Sequence, residues 1–139
     1  MKHHITMIAI AVSLLLAGCG VGAPFIQPGA YAGSPAHIVT DSDHTSKVAG
    51  WDRRIYIQAV DGNQTRHTIG LMPEEAYLTA GPHRIDVIYM FMGSQAKGHL
   101  QLVALHGHDY VIHRQEDGNR MRFWITDGWS GPVVGGIVD

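Results

Sequence analysis

The sequence predicts an all-β fold, specifically a single antiparallel β-sandwich domain of the immunoglobulin-like type. Segments rich in β-branched and aromatic residues alternate between apolar and polar positions, as half-buried strands do. Gly, Asp and Asn punctuate these segments about every 8–12 residues, a spacing typical of sandwiches and barrels. The sequence shows no sustained 3.6-residue apolar period, which argues against helices.

The first predicted hairpin begins with a β-branched and aromatic strand at Arg53–Val60. Asp61–Asn63 ends this strand with a turn signature, and we expect a short second strand near Arg66–Leu71. Pro73 then interrupts the pattern because proline cannot donate to a strand ladder. We therefore expect an exposed turn there, in which the adjacent carboxylates of Glu74 and Glu75 point apart.

The clearest predicted strand is Pro82–Met92, in which alternate residues from His83 to Phe91 share one face. The small and polar residues of Gly93–Gly98 predict a flexible loop after it. The remaining predicted strands are His99–Leu105, Asp109–Arg114, Met121–Ile125 and Val133–Val134.

Residues 1–18 have the layout of a cleavable export signal. Lys2 supplies a positive start, and Ile5–Leu16 is uncharged and almost wholly apolar but shorter than the roughly 20 residues that span a bilayer. Leu16-Ala17-Gly18-Cys19 is similar to the lipobox of bacterial lipoproteins. That similarity implies that Cys19, the single cysteine of the chain, becomes the new N-terminus and carries several acyl chains such as palmitate. Multiple chains give the stable membrane attachment that one chain does not.

Residues 19–50 are predicted to be the lipidated N-terminus and a flexible tether, because Gly, Ala, Pro and small polar residues dominate them. A short strand at Ala36–Thr40 is the one regular element expected there. Residues 51–139 then form the β-sandwich domain. In Gram-negative lipoproteins a residue other than aspartate after the lipidated cysteine favours the outer membrane, and here that residue is Gly20. We therefore expect an outer-membrane anchor and a domain that faces the periplasm.

Three stretches resemble PEGA-like domains of small bacterial envelope lipoproteins. They are TAGPHRIDVIY (Thr79–Tyr89), ALHGHDYVIH (Ala104–His113) and WITDGWSGPVVGG (Trp124–Gly136). The resemblance implies a compact β-sandwich on an envelope lipoprotein, in a family whose members are largely uncharacterised.

The charge balance excludes some partners. Removal of the signal with Lys2 leaves 9 basic against 12 acidic residues, a net charge of −3, and the sequence contains no basic block. Such a chain is not expected to bind nucleic acid or to bind membranes electrostatically. We expect the membrane contact to run through the lipid, and another envelope protein to be the partner.

Ten histidines raise the possibility of a metal site. His106 and His108 form an H-x-H pair that an extended strand would place on one face, and His99 or His113 could approach from a paired strand. Zinc or copper would suit such imidazole ligands. Gly107 between the pair favours a sharp corner that would turn the two rings apart, so the alternative is histidines hydrogen-bonded at sheet edges, with no metal cofactor.

The sequence offers no nucleophile elbow and no phosphate-binding loop, so no catalytic residues are predicted. Trp129 lies between Gly128 and Ser130 in a predicted loop and is either a partner contact or a cap on one end of the fold. We expect a binding or structural accessory protein without catalytic activity; the alternative is a periplasmic metal-binding lipoprotein that uses the histidines.

Overall fold

The computed structural model describes residues 22–48, 50–66 and 72–137. About 60% of the described residues are in strands, and a 3₁₀ turn covers Ala30–Ala32, so the predicted all-β class is confirmed. The strands are β1 Phe25–Ile26, β2 Ala36–Thr40, β3 Arg54–Val60, β4 Asn63–Gln64, β5 Glu75–Leu78, β6 Gly81–Phe91, β7 Ser94–Ala104, β8 Asp109–Asp117, β9 Arg120–Asp127 and β10 Val133–Ile137.

All ten strands join one sheet in the order β1-β5-β2-β8-β9-β10-β7-β6-β3-β4, and this sheet curls into a half-barrel. The two packed layers of the predicted sandwich, and its immunoglobulin-like arrangement, are not confirmed. The sheet is also mixed: β1 runs parallel to β5 and β2 runs parallel to β8, while the other pairs are antiparallel. Register shifts after Ile57 and after Val133 add local twist, which helps a broad sheet to curve.

The longest hairpin joins β6 to β7 through the two-residue turn Met92-Gly93. Both residues have positive φ, 45° and 80°, which matches the twist of paired strands and pins Phe91 opposite Ser94. The predicted loop at Gly93–Gly98 is therefore wrong. Its small and polar residues lie on a regular strand because the long partner β6 supplies a hydrogen-bonding edge along the whole segment.

The core lines the inner face of the half-barrel. Alternate residues of each strand point inward, and the largest of those with under 2% of their surface exposed are Tyr110, Ile38, Ile55, Ile57, Leu78, Ile85, Leu100, Leu102, Ile112, Ile125, Val60 and Val87. Each such aliphatic side chain contributes about 1.5–3 kcal/mol on burial. The inner face is thus packed with side chains.

Hydrogen bonds connect the two margins of the curled sheet. The amide of Ile57 donates to the carbonyl of Pro73 at 2.8 Å, and the amide of Asp43 donates to the carbonyl of Arg53 at 2.9 Å. The Gln27 side chain donates to Asp61 at 3.1 Å. These contacts hold the β5 margin against the β3 margin, so the curl does not depend on strand pairing alone.

The folded domain begins earlier than the sequence predicts. The short strand expected at Ala36–Thr40 is present as β2, but it lies between β5 and β8, and Ala36 and Ile38 are fully buried. Strand β1 pairs with β5 at the margin. Phe25–Ile26 and Ala36–Thr40 therefore belong to the sheet rather than to a tether, and the apolar alternation of β2 is buried by strands distant in sequence.

The expected exposed turn at Glu74 and Glu75 is also wrong. Glu74 is 7% exposed, and Glu75 begins strand β5. The two side chains do point to different surroundings, as adjacent residues of an extended chain must. The second strand predicted near residues 66–71 lies largely outside the described residues; the strand that follows the Asp61-Gly62 turn is β4.

Candidate functional site

The outer face of β2, β8 and β9 carries a cluster centred on His113, which we call the His113 cluster. Its ring lies between the Asp41 carboxylate, 3.2 Å from Nδ1, and the Thr126 hydroxyl, 2.8 Å from Nε2. Trp124 stacks on the imidazole with ring centroids 5.4 Å apart, and Trp129 meets it edge-on at 6.2 Å. Strand pairing produces the stack, since His113 and Trp124 are directly opposite on β8 and β9.

The hydrogen-bond directions within this cluster follow from its donors. The Thr126 hydroxyl donates its single proton to the carbonyl of Gly128 at 2.6 Å, so it accepts from Nε2 of His113. Asp41 contacts the other ring nitrogen, Nδ1. The cluster is an aromatic platform bordered by the Asp41 carboxylate.

A second group, the His37 cluster, lies on the same outer face. His37 is 2.5 Å from Glu75 through Nε2 and 2.9 Å from Asp109 through Nδ1. Its ring stacks on Tyr77 at 4.7 Å, and Tyr31, 59% exposed, lies 5.5 Å beyond Tyr77. A carboxylate therefore contacts each of the two ring nitrogens.

The phenol of Tyr77 donates to Glu75 at 3.1 Å. Burial raises the pKa of Tyr77 above its ordinary 10.0, and the hydrogen bond and negative charge of Glu75 raise it further. Tyr77 therefore remains a neutral donor at physiological pH.

The two clusters form one continuous surface because strand residues two apart share a face. His37, Val39 and Asp41 project from the same side of β2, and Asp109, Val111 and His113 project from the same side of the parallel neighbour β8. Val111 is 1% exposed. The surface thus has aromatic rings on either side of the buried Val111 and carboxylates at its rim.

Pairing with carboxylates is the rule among the histidines of the described chain: six of seven make such a contact. The pairs are His37 with Glu75 and Asp109, His44 with Glu74, His83 with Asp61, His99 with Asp86, His108 with Asp127 and His113 with Asp41. Each carboxylate contacts the ring from at least 13 positions away in the sequence.

These pairs also act on the acids. Burial raises the pKa of Asp86, but hydrogen bonds from His99 and Arg84 outweigh it and hold that pKa below 3.8. Asp61 behaves in the same way: burial is opposed by hydrogen bonds from the His83 ring and from the amide of Arg84, and its pKa is lowered.

The four histidines proposed as metal ligands have separate partners. His106 is exposed and lies 3.3 Å from the carbonyl of Ser34, whereas Nδ1 of His108 lies 2.9 Å from Asp127. Gly107 has a φ of 70°, so the predicted corner between them is present. His99 is held by Asp86 on β6, and His113 belongs to the cluster above.

Within the described residues, no group of three or more His, Cys, Asp or Glu could hold a metal ion. The zinc or copper site stays a prediction. Metal analysis of the purified protein, with a His106→Ala/His108→Ala control, tests it.

Two predicted site residues remain, the lipidation site Cys19 and the possible partner contact Trp129. Cys19 lies outside the described residues. Trp129 is 63% exposed and leans against His113, so it is available at the surface while one edge is supported.

Sequence reasoning missed His37, Asp41, Glu75 and Thr126. The available signal was the alternation in Ala36–Asp41, which places His37 and Asp41 on one face. That signal could not reveal which distant strands supply their partners.

Comparison of the chain with protein families, curated proteins and solved structures found no match. The resemblance to PEGA-like lipoproteins stays a prediction. In the described ranges, no helix is long and apolar enough to cross a membrane.

Proposed function

We propose that this chain is a lipid-anchored bacterial envelope protein that serves as a binding or structural accessory module without catalysis. In this proposal Cys19 carries the lipid in the outer membrane, the β domain faces the periplasm, and the outer face around the His113 cluster contacts another envelope protein. PEGA-like membership remains part of the proposal as the origin of the domain.

The observation that carries the binding role is the preorganised exposure of Trp129. Its indole is 63% exposed, yet its edge rests on a His113 ring that is itself fixed by two hydrogen bonds and a stacked Trp124. Tryptophan is among the residues that dominate interface energetics, and an anchor held in advance loses little conformational freedom on binding.

The rim of this surface indicates the chemistry of the partner. Asp41, Asp109 and Asp127 border the aromatic rings, with side chains between about one third and three quarters exposed. Arginine stacks on indole and pairs with carboxylates in one geometry. A partner surface that presents arginine beside an apolar contact is therefore complementary.

Two observations support a non-catalytic role. A hydroxyl nucleophile is activated when it gives its proton to a neighbouring base such as histidine. The Thr126 hydroxyl instead donates its proton to the carbonyl of Gly128, and it contacts His113 as an acceptor. A groove on the described surface is open to solvent; it is lined by Pro82, His83, Arg84, Gln101, Leu102, Val103 and Val134.

In-cell photo-crosslinking tests the binding role. A photoreactive phenylalanine analogue at position 129 is compared with the same analogue at Val103, which is 64% exposed and lies on β7, outside the His113 cluster. We expect a discrete adduct from position 129 and none from position 103. Absence of an adduct from position 129, at normal protein abundance, would refute the binding role.

The anchor has its own test. Radiolabelled fatty acid should appear on the wild-type chain and be absent from a Cys19→Ser variant. Lack of label on the wild-type protein would refute the lipid anchor whatever the crosslinking shows.

A further inference from the structure

One end of the half-barrel carries a compact group of exposed apolar side chains, which we call the tip patch. It consists of Val48, Trp51 and Met92, which are 52%, 60% and 60% exposed. Backbone hydrogen bonds hold the three together: the amide of Trp51 donates to the carbonyl of Val48, and the amide of Met92 donates to the carbonyl of Gly50. The patch is therefore built by the fold and is more than three unrelated exposed residues.

The first described residue lies toward the same end. Gly22 bridges Pro73, immediately before β5, and β5 starts where its antiparallel neighbour β2 ends. From the end of β2 the chain reaches Asp43, whose amide donates to the carbonyl of Arg53 at the start of β3. The carbonyl of Pro73 accepts from the amide of Ile57, so Gly22 lies near the middle of β3, three residues or roughly 10 Å from the Arg54 end that leads to the tip patch.

The covalent link between the proposed anchor and the domain is short. Cys19 and Gly22 are three residues apart, so their Cα atoms lie within about 11 Å of each other in any conformation. A lipidated Cys19 would hold this end of the half-barrel at the bilayer surface, since no 30-residue tether intervenes.

We infer that the tip patch rests in the interfacial region of the bilayer to which Cys19 is attached; this inference rests on the proposed lipid anchor. The chemistry of the patch suits that position. The indole of Trp51 is amphipathic and is favoured at the boundary between headgroups and acyl chains, while Val48 and Met92 add apolar area. Arg53 lies beside the patch, with its guanidinium 4.4 Å from the Phe91 ring centroid and its Nε 3.9 Å from Oε1 of Glu116.

The same arrangement directs the outer-face surface away from the membrane. Trp129 follows β9 at the end where Asp127 pairs with Tyr110 near the start of β8, which is the end opposite to the β6–β7 hairpin. One exposed tryptophan would therefore contact lipid while the other remains accessible to a partner. Their similar exposures, 60% and 63%, make them a matched pair for a test.

The test uses the full lipidated protein with one of these tryptophans retained. A Trp124→Phe/Trp129→Phe variant keeps Trp51, and a Trp51→Phe/Trp124→Phe variant keeps Trp129. Each is reconstituted into vesicles of phosphatidylethanolamine and phosphatidylglycerol, with or without brominated acyl chains, which quench indole on contact. Mass spectrometry of the N-terminal peptide establishes lipidation in the same samples, and circular dichroism establishes that both variants fold.

We expect brominated lipid to reduce Trp51 emission about twofold, as for an interfacial indole, and to leave Trp129 emission nearly unchanged. A lipidated protein whose Trp51 is not quenched would overturn the tip-patch inference and leave the anchor intact. Equal quenching of both tryptophans would also overturn it, because the domain would then have no preferred orientation. A protein without lipid would instead overturn the proposed function.

Discussion

Arg54 and Glu74 form a buried ion pair whose disruption should be measurable and pH-dependent. Their side chains are 19% and 9% exposed, and Nη1 of Arg54 lies 3.8 Å from Oε1 of Glu74. The other terminal nitrogen of Arg54 bonds Asp52 at 3.3 Å, and His44 lies 3.2 Å from Oε2 of Glu74. Burial raises the pKa of Glu74 above 4.5, and the positive charges of His44 and Arg54 limit the rise.

The perturbation is Arg54→Met, which keeps the aliphatic stem and removes the charge. Breaking a buried pair by deleting one partner costs about 3–5 kcal/mol, because the remaining charge is desolvated and uncompensated. Here Nη1 and Oε1 are not hydrogen-bonded and His44 remains beside Glu74. We therefore expect Arg54→Met to lower the free energy of unfolding by about 3 kcal/mol, the lower bound of that range. This is a large part of a typical domain stability of about 5–15 kcal/mol.

Denaturant unfolding of four proteins measures this effect: wild type, Arg54→Met, Glu74→Gln and the double variant. The loss caused by Arg54→Met is compared between the wild type and the Glu74→Gln variant. The contact of Arg54 with Asp52 is lost in both cases, so its contribution cancels from the comparison. Glu74→Gln alone should lower the free energy of unfolding less than Arg54→Met, because Arg54 keeps its second carboxylate partner, Asp52. In the Glu74→Gln background, Arg54→Met should lower the free energy of unfolding much less than in the wild type.

The pH dependence of this loss has a defined sign. The pKa of Glu74 is higher in the folded protein than its ordinary 4.5, so the folded state keeps the proton to a higher pH. The free energy of unfolding therefore falls as the pH rises from about 4.5 through the folded-state pKa. Without Arg54 this pKa should rise further. The deficit of Arg54→Met should therefore shrink as the pH is lowered from neutrality toward 4.5. An Arg54→Met loss that is the same in both backgrounds and does not vary with pH would refute the reasoning.

Two further predictions concern packing and acid sensitivity. A Cβ at Gly135 would lie 2.5 Å from the backbone oxygen of Gln101, whereas at Gly136 nothing lies within 4 Å. We expect Gly135→Ala to lower the free energy of unfolding by about 1–3 kcal/mol through overpacking, and Gly136→Ala to stay within about 0.5 kcal/mol of wild type. Thermal unfolding measures both variants, and equal shifts would contradict the packing of β10. Burial raises the pKa of Asp61, but the hydrogen bond from His83 outweighs this and lowers the pKa below 3.8. The resulting stabilisation is present above pH 3.8 and lost below it, so Asp61→Asn should lower the free energy of unfolding at neutral pH and flatten its decline in acid; an unchanged acid profile would count against this pairing.

The sequence by itself determined the strand class and most strand positions. Alternation in Arg54–Val60 and Gly81–Phe91 requires only that one face be buried, which is a local property of an extended chain. The Asp61-Gly62 turn is also local, since both residues take the positive φ that a two-residue hairpin turn needs. The opposite faces of Phe123 and Trp124 follow from the same period of two, whereas the structure decides that Phe123 is the one in the core.

Only the tertiary structure decided which strands are neighbours, and with them the candidate site. Strand β2 contacts β5 and β8, so His37 acquires partners 38 and 72 positions away, Glu75 and Asp109. Glu74 is buried for a similar reason, because the β3 margin with Arg54 folds against it. A one-residue change of register would reverse the face of every such side chain, and register across distant strands is fixed by packing of the whole sheet rather than by local sequence.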